Sequence, residues 1–247
     1  MLEGICILPI IPMRANKSDK SEMINQILFG ECFKILKQEK KWSQVVLNHD
    51  NYCGWIDNKQ YQIISKSNTR FQISNKKYTN IKINNIQQPL LLGSLIPKNK
   101  KIINTINIKE ELSFCNMKPF RTWFVKVAKK YINTPYLWGG RSPLGIDCSG
   151  YTQMVYRFFN YDLPRDAFQQ EKEGVEILEF SKITLGDLAF FGNKKQINHV
   201  GIILSNNKII HASGKVRIDN LDQIGIYNTE SLSYTHKLKS IKRIIST

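Results

Sequence analysis

The feature that most constrains the fold is a change in the spacing of apolar residues near Lys118-Pro119. Before it, short apolar runs alternate with turn residues, a pattern typical of small antiparallel barrels. After it, Phe120–Tyr131 carries apolar residues at helical spacing, and a second such stripe runs from Tyr151 to Phe159. Strand-like runs then continue towards the C-terminus. Helices first and a sheet afterwards, without regular alternation, predict an α+β fold.

The same change divides the chain into three predicted domains. We predict a small β-barrel over residues 1–63, a second small β domain over residues 64–112, and the α+β domain over residues 118–247. The predicted strands of the first two are Gly4–Ile11, Gln26–Phe29, Cys32–Leu36, Trp42–Leu47, Tyr52–Ile56, Arg70–Ile73, Ile81–Ile83, Pro89–Leu92 and Lys101–Ile106. Those of the third are Gly186–Phe191, His199–Leu204, Lys208–Ala212, Val216–Ile218 and Ile241–Ile245.

The charge is strongly basic, with 36 Lys and Arg against 20 Asp and Glu. Most of the excess lies between Asn58 and Lys109, a segment without any acidic residue. This segment lacks the regular interleaving of aromatic side chains that stacks on bases, and a lysine- and asparagine-rich composition explains its charge equally well. A nucleic-acid partner is therefore not expected. No apolar run reaches the roughly 18 residues of a membrane-spanning helix, so no membrane span is expected either.

The N-terminus and the cysteines bear on the compartment. Met1–Ile10 lacks a basic region followed by a small-residue cleavage site. We therefore expect a cytoplasmic protein, or a secreted or periplasmic one if the chain is already processed. The cysteines are odd in number and none forms a Cys-x-x-Cys pair, which argues against a disulfide framework or a zinc site. No metal or other cofactor is expected, and Cys6, Cys32 and Cys53 are predicted to be small buried apolar residues.

Cys148 stands apart from these cysteines. It lies in Asp147-Cys148-Ser149-Gly150, where a glycine-rich loop runs into the second predicted helix. A thiol in the first turn of a helix is close to unpaired N–H groups, whose partial positive charge stabilises the thiolate. We therefore expect a lowered thiol pKa and a nucleophile. The structural alternative is a buried cysteine beside an Asp N-cap.

Two histidines are candidates for the base that such a nucleophile needs. His199 and His211 lie on two predicted strands that turn at Ser205-Asn206-Asn207. A two-residue loop pairs His211 with Ile202 and places the histidines on opposite faces, whereas a three-residue loop pairs His211 with Gly201 and places both on one face. Diagonal neighbours on one face are roughly 7–8 Å apart, within reach of an imidazole–imidazole hydrogen bond.

In the second register, His199 would act as general base and acid, and His211 would fix its tautomer and orientation. Each histidine taken alone is equally compatible with a half-buried strand position. His49 and His236 lie in polar stretches, and the sequence gives them no role.

These residues resemble the NlpC-type cell-wall cysteine peptidases, a papain-like group. The likeness is carried over residues 120–247 by Pro135-Tyr136-Leu137-Trp138-Gly139-Gly140, Asp147-Cys148-Ser149-Gly150, Leu185-Gly186-Asp187-Leu188, Asn198-His199-Val200-Gly201-Ile202 and Ile210-His211-Ala212-Ser213-Gly214. The resemblance implies a papain-like domain of helices packed on an antiparallel sheet, with a catalytic triad of Cys148, His199 and His211. It also implies that the Cys148 backbone N–H and the Tyr136 side chain stabilise the oxyanion.

The N-terminal part resembles the bacterial SH3-like domains fused to one branch of these enzymes. Ser18–Met23, Leu28–Glu31 and Gly54-Trp55-Ile56 carry this likeness. The branch cleaves the bond between γ-D-Glu and a diamino acid in murein peptides with a free N-terminal L-Ala, releasing L-Ala-γ-D-Glu. The likeness implies that Glu22, with Trp55 or Tyr52, binds the substrate amine.

The resemblance also places Asp147, Ser149 and Asp166 along the substrate pocket. Ala167 follows Asp166, where the family often has a serine, so one hydroxyl contact is missing or replaced. Each assignment has a structural alternative: Glu22 as a solvated carboxylate, Trp55 as barrel core, and Asp166 as a helix N-cap.

The predicted function is hydrolysis of the bond between γ-D-Glu and diaminopimelate or lysine in murein peptides. Two alternatives stay open. One is a different papain-like amidase or endopeptidase of peptidoglycan, and the other is a non-enzymatic protein that binds wall polymer. The oligomeric state is not encoded in any pattern that we find.

Overall fold

The computed structural model describes residues 2–65, 70–108, 120–193, 196–205 and 207–245. Its residues group into two compact units. Unit 1 comprises residues 1–116 and 138–143, and unit 2 comprises residues 117–137 and 144–247. Cys115 and the predicted boundary at Lys118-Pro119 lie outside the described residues.

The N-terminal part of unit 1 is an SH3-like barrel. One antiparallel sheet has the strand order β3-β2-β6-β5-β4-β1-β7 and curls round an apolar cluster that includes Met13, Phe33 and Val45. Along β5 every second residue is buried, which is the alternation that predicted a barrel. The strands are β1 (Glu3–Cys6), β2 (Ile10–Arg14), β3 (Met23–Leu28), β4 (Cys32–Gln38), β5 (Trp42–Leu47), β6 (Cys53–Asp57) and β7 (Tyr61–Ile64).

The other described residues of unit 1 form one hairpin, a second two-stranded antiparallel sheet and a helix. Strand β9 pairs with β10, β8 pairs with β11, and α1 packs on them through buried Ile102 and Ile106. The elements are β8 (Phe71–Ile73), β9 (Tyr78–Ile83), β10 (Ile86–Leu91), β11 (Leu95–Pro97) and α1 (Lys100–Ile106).

The prediction of a strand at Lys101–Ile106 is wrong. Asn99 caps a helix there by accepting a hydrogen bond from the Lys101 N–H, and Asn107 ends it in the left-handed conformation. Ile102 and Ile106 are four residues apart, so a helix buries both on one face. Packing against the neighbouring strands therefore overrides the strand preference of isoleucine.

Residues 138–143 belong to unit 1 although they precede Cys148 in the chain. Arg141 donates two hydrogen bonds to the carboxylate of Glu31, at 3.0 and 3.1 Å, and both side chains are fully buried. Arg141 also donates to the Gln26 backbone oxygen at 2.9 Å, and its Nη2 lies 3.2 Å from His49 Nε2. His49, which the sequence left without a role, thus completes a buried polar cluster.

Gly139 allows this segment to approach β3. It has a φ of +75°, and a Cβ atom there would lie 2.4 Å from the Met23 carbonyl oxygen. Only glycine combines this conformation with so close a backbone contact.

Unit 2 pairs helices with a closed antiparallel sheet, in a papain-like arrangement. The strand order is β14-β20-β15-β16-β17-β18-β19, and β19 also pairs with β20, so six strands close on themselves. The helices are α2 (Phe120–Lys129), α3 (Cys148–Arg157) and α4 (Ala167–Gln170), with a short 3-10 helix at Phe180–Lys182. Strand β12 (Arg141–Ser142) belongs to unit 1. The strands of unit 2 are β13 (Gly145–Ile146), β14 (Val175–Glu176), β15 (Leu188–Gly192), β16 (Ile197–Ser205), β17 (Lys208–Ser213), β18 (Lys215–Leu221), β19 (Gly225–Asn228) and β20 (Ser233–Arg243).

Two cores hold unit 2 together. An apolar cluster on one face of the closed sheet includes Phe191, Ile203 and Ile209. Helices α2 and α3 meet through aromatic contacts, among them the edge-to-face pair of Phe124 and Tyr156. Helix α3 in turn packs against β16 and β17, so the sequence after Cys148 is fixed on the sheet that carries the histidines.

The cysteines are only partly as predicted. Cys6 is buried, but Cys32 is half-buried and Cys53 is exposed, because position 53 faces outward at the start of β6. Within the described ranges, no group of histidine, cysteine and acidic side chains is arranged to hold a metal ion. No described helix is long and apolar enough to cross a membrane.

Candidate active site

Cys148 is the first residue of α3. Asp147 caps the helix by accepting a hydrogen bond from the Gly150 N–H at 2.7 Å. The guanidinium of Arg165 holds the Asp147 carboxylate and also donates to Ser149 Oγ at 3.0 Å. The nucleophile candidate therefore sits on a helix end whose first turn is fixed by buried polar contacts.

The ionisation of Cys148 differs from the sequence prediction. Burial raises the pKa of the thiol to about 12, and the charge of Asp147 acts in the same direction. Hydrogen bonds from the Val200 and Ser149 N–H groups to the sulfur offset only part of this effect. The expected lowering of the pKa is therefore wrong for the substrate-free site, because desolvation outweighs the partial charge at one helix end.

The hydrogen bond from Val200 places the sulfur next to the residue that follows His199 in β16. His199 and His211 share one face of the sheet, because His211 pairs with Gly201. Ser205 pairs with Lys208, as a two-residue connection requires, but an extra residue at Leu204 shifts the register by one. A β-bulge thus produces the pairing expected for the longer loop. Asn206, in the turn, lies outside the described residues.

The two histidines are joined to an acidic residue that sequence analysis missed. His199 Nε2 lies 2.8 Å from His211 Nδ1, and His211 Nε2 lies 3.0 Å from Asp219 Oδ2. All three side chains are buried. Burial, reinforced by the neighbouring imidazoles of His211 and His236, holds the pKa of His199 well below its usual value. His199 is therefore neutral at neutral pH and able to accept a proton.

His236 is a further residue that the sequence did not single out. Its ring stacks on His199 with centroids 4.1 Å apart, and the ring of Phe191 lies beside both. Burial lowers the pKa of His236 to about 4. The polar stretch that contains His236 is strand β20, which pairs with both β15 and β19. This pairing places His236 against His199.

Tyr136 precedes the loop that leads to Cys148. Its backbone N–H donates to the Gly214 oxygen, and it pairs with Ile146. Burial and the nearby Cys148 and Asp147 raise the pKa of its hydroxyl to about 12. The hydroxyl thus stays protonated and can donate a hydrogen bond.

The other unit 2 candidates have structural partners. Asp147 and Ser149 bind Arg165, as described above. Asp166 begins α4 in a capping box, in which its backbone N–H donates to Gln169 Oε1 at 3.1 Å. Ala167 is buried in the first turn of that helix. The N-cap alternative for Asp166 is therefore what the structure contains, with the side chain half-buried.

The three remaining candidates belong to unit 1. Glu22 is exposed and accepts a hydrogen bond from Trp138 Nε1 at 2.6 Å. Trp55 is half-buried on β6, and the ammonium of Lys17 lies 5.7 Å from its ring centroid. Tyr52 packs against the barrel core. The Trp138 indole, which is 61% exposed, is an aromatic partner of Glu22 that sequence analysis did not assign.

Known protein families match both the N-terminal and the C-terminal part of the chain. Residues 133–233 match the NlpC/P60 family, and residues 13–60 match the bacterial dipeptidyl-peptidase SH3 domain. The first match includes Tyr136, Cys148, His199, His211 and Asp219.

Relatives of known name match at modest identity. The gamma-D-glutamyl-L-lysine dipeptidyl-peptidase of Bacillus cereus (strain ATCC 10987 / NRS 248) is 24% identical over 79% of this chain and 68% of its own length. The protein of the same name from Bacillus subtilis (strain 168) is 24% identical over 90% of this chain and 81% of its own length. Dipeptidyl-peptidase 6 of Lysinibacillus sphaericus is 38% identical over 42% of this chain and 38% of its own length.

The fold is shared with solved structures. An NlpC/P60 family protein from Bacillus cereus ATCC 10987 matches with a TM-score of 0.80, covering 99% of this chain and all of that one, at 18% identity. An NlpC/P60 endopeptidase from Photobacterium damselae subsp. piscicida matches with a TM-score of 0.72 over 96% of this chain and 70% of that one, at 19% identity. The chain therefore carries an NlpC/P60 domain of papain-like fold, and a bacterial dipeptidyl-peptidase SH3 domain precedes it in the sequence.

Proposed function

We propose that this protein is a cysteine peptidase that hydrolyses the bond between γ-D-Glu and the diamino acid of murein peptides with a free N-terminal L-Ala. The observation that carries the proposal is the buried pair of His199 and His211, 2.8 Å apart, with His199 on the strand whose Val200 N–H binds the Cys148 sulfur. The names of the relatives that match both halves of the chain support this substrate class.

The reaction starts from a neutral thiol and a neutral imidazole. Proton transfer from Cys148 to His199 creates a thiolate and an imidazolium together, so the buried pair gains no net charge. The thiolate attacks the γ-carbonyl carbon of D-Glu, and His199 gives the proton to the leaving amine of the diamino acid. A water that loses its proton to His199 then hydrolyses the thioester, which releases L-Ala-γ-D-Glu and restores the thiol.

Two donors stabilise the oxyanion of each tetrahedral intermediate. The first N–H groups of a helix have no partner within it, and Cys148 supplies one of them. The Tyr136 hydroxyl supplies the second, since its raised pKa keeps it protonated. His211 orients His199 through the contact between its Nδ1 and His199 Nε2.

The substrate is tested by product analysis on defined tripeptides, L-Ala-γ-D-Glu-L-Lys and its diaminopimelate counterpart. We expect release of L-Ala-γ-D-Glu from the free peptides, identified by mass. We expect at least about tenfold slower release from peptides with an acetylated N-terminus, since losing a hydrogen bond to a charged group costs about 1.5–3 kcal/mol.

Two outcomes would overturn this assignment. Equal turnover of acetylated and free peptides would indicate a broader endopeptidase. Products cut at another bond would indicate a different amidase of the same fold. An active enzyme with either outcome would keep Cys148 as nucleophile but change the substrate.

A glycine in β16 sets the distance between the two histidine strands. Gly201 lies opposite His211, and a Cβ atom at position 201 would lie 2.9 Å from His211 Cβ and 2.7 Å from Ile209 Cδ1. Gly201→Ala should therefore displace His211 and lower kcat by about 10- to 100-fold, because catalytic geometry tolerates little displacement. Ser205→Ala, on the same strand, is the control and should keep the wild-type kcat. A wild-type kcat for Gly201→Ala would show that His211 needs no such precise position.

A further inference from the structure

Strand β18 brings two charged residues to the far side of His211. Arg217 lies directly opposite His211 in the sheet, and Asp219 follows two residues later on the same face. Asp219 Oδ2 is 3.0 Å from His211 Nε2. Asp219 is only 2% exposed and His211 only 1%, so this contact is shielded from water.

Arg217 fixes the carboxylate from the other side. Its Nε donates to Asp219 Oδ2 at 2.7 Å, and its Nη2 donates to Oδ1 at 2.9 Å. The guanidinium is itself bonded to Asn228 Oδ1 at 3.1 Å and to Glu230 Oε2 at 2.9 Å. Although burial raises the pKa of Asp219, the hydrogen bonds from His211 and Arg217 outweigh it and hold the pKa below its usual value. Asp219 is therefore a carboxylate, which only accepts hydrogen bonds.

We propose that Asp219, held by Arg217, is a positioning residue that determines which ring nitrogen of His211 and of His199 carries the proton. The carboxylate requires a proton on His211 Nε2. A neutral His211 then has a lone pair on Nδ1, which accepts from His199 Nε2. This leaves His199 with an unprotonated Nδ1, the nitrogen that acts as base. The inference rests on the proposed function for the catalytic role of His199, but the tautomers themselves do not depend on any substrate.

The first test measures tautomers in the substrate-free full-length protein by nitrogen-15 NMR of labelled histidine. In the wild type, we expect His199 and His211 both to carry the proton on Nε2. In Asp219→Asn, Arg217 and His211 must share a single acceptor oxygen. We therefore expect a fraction of His211 to carry its proton on Nδ1 instead of Nε2. A wild-type pattern in Asp219→Asn would overturn the proposal whether or not murein peptides are the substrate.

The second test measures kinetics on L-Ala-γ-D-Glu-L-Lys. Asp219→Asn should lower kcat by about 10²- to 10⁴-fold with little change in KM, as an altered tautomer does in a catalytic triad. Asp222→Asn is the matched control, because the Asp222 carboxylate binds the Ile224 N–H and the Tyr234 hydroxyl instead. An unchanged kcat for Asp219→Asn would contradict the proposal.

A second variant covers the case in which Asp219→Asn does not fold. Arg217 is on the outer side of the carboxylate and is partly exposed. Arg217→Gln therefore removes the positive charge that pairs with Asp219, and it disturbs the packing less than Asp219→Asn does. We expect this variant to lower kcat by about tenfold and to shift the His211 tautomer in the same direction. Wild-type values for both measurements would argue against a role for the ion pair.

Discussion

Cys148→Ser is expected to lower the rate of tripeptide cleavage by about 10⁴-fold or more while leaving the free energy of unfolding nearly unchanged. A serine hydroxyl is a far weaker acid than a thiol, so His199 cannot generate the corresponding anion in a buried site. The exchange removes little volume, and the Asp147 cap of α3 does not involve the side chain at position 148. The measurement is the rate of L-Ala-γ-D-Glu release under substrate saturation.

The matched control is Cys53→Ser, because Cys53 is an exposed free thiol on the SH3-like barrel. It should keep the wild-type rate. A wild-type rate for Cys148→Ser would eliminate Cys148 as the nucleophile. Absence of cleavage by the wild type itself would instead favour the non-enzymatic alternative of a wall-polymer-binding protein.

Arg141→Met is expected to destabilise unit 1 by about 3–5 kcal/mol, the cost of leaving a buried carboxylate unpaired. Glu31 is completely buried and accepts one hydrogen bond from each terminal guanidinium nitrogen of Arg141. Urea unfolding followed by tryptophan fluorescence measures this effect, since Trp42, Trp55 and Trp138 all belong to unit 1.

Two further variants make the result specific. Lys37→Met removes an exposed ion pair with Glu39 and should change stability little. Combining Arg141→Met with Glu31→Leu removes both buried charges, and we expect it to recover much of the lost stability. If Arg141→Met alone leaves the unfolding curve unchanged, the pair contributes nothing to unit 1.

The strand and helix pattern was predictable where local spacing agreed with the packing. Alternating burial in β5 and the helical stripe of α3 illustrate this agreement. The segment Lys101–Ile106 shows the limit, because isoleucine-rich sequence favours a strand until a cap and two buried side chains favour a helix. Residues 138–143 show another limit. Their assignment to unit 1 depends on Glu31, which is more than a hundred positions away in the chain.

Asp219 shows what sequence analysis of the site overlooked. The run Lys215-Val216-Arg217-Ile218-Asp219 alternates charged and apolar residues after the glycine that follows His211, which is the signal of a third strand with polar residues facing the histidine. The predicted strand Val216–Ile218 ends one residue before Asp219. His236 carried no comparable signal, because its stack on His199 depends on strand β20 closing the sheet.

The sequence by itself determined the fold class, the order of Cys148 before the two histidines, and the hairpin that joins those histidines, because such features depend on local spacing and turn chemistry. The tertiary structure alone decided that a bulge at Leu204 aligns His211 with Gly201, that Asp219 and Arg217 complete the group, and that the Cys148 thiol is neutral at rest. Register and pKa depend on pairing and burial by distant parts of the chain, and the balance between desolvation and partner charges is fixed only when those parts are packed together.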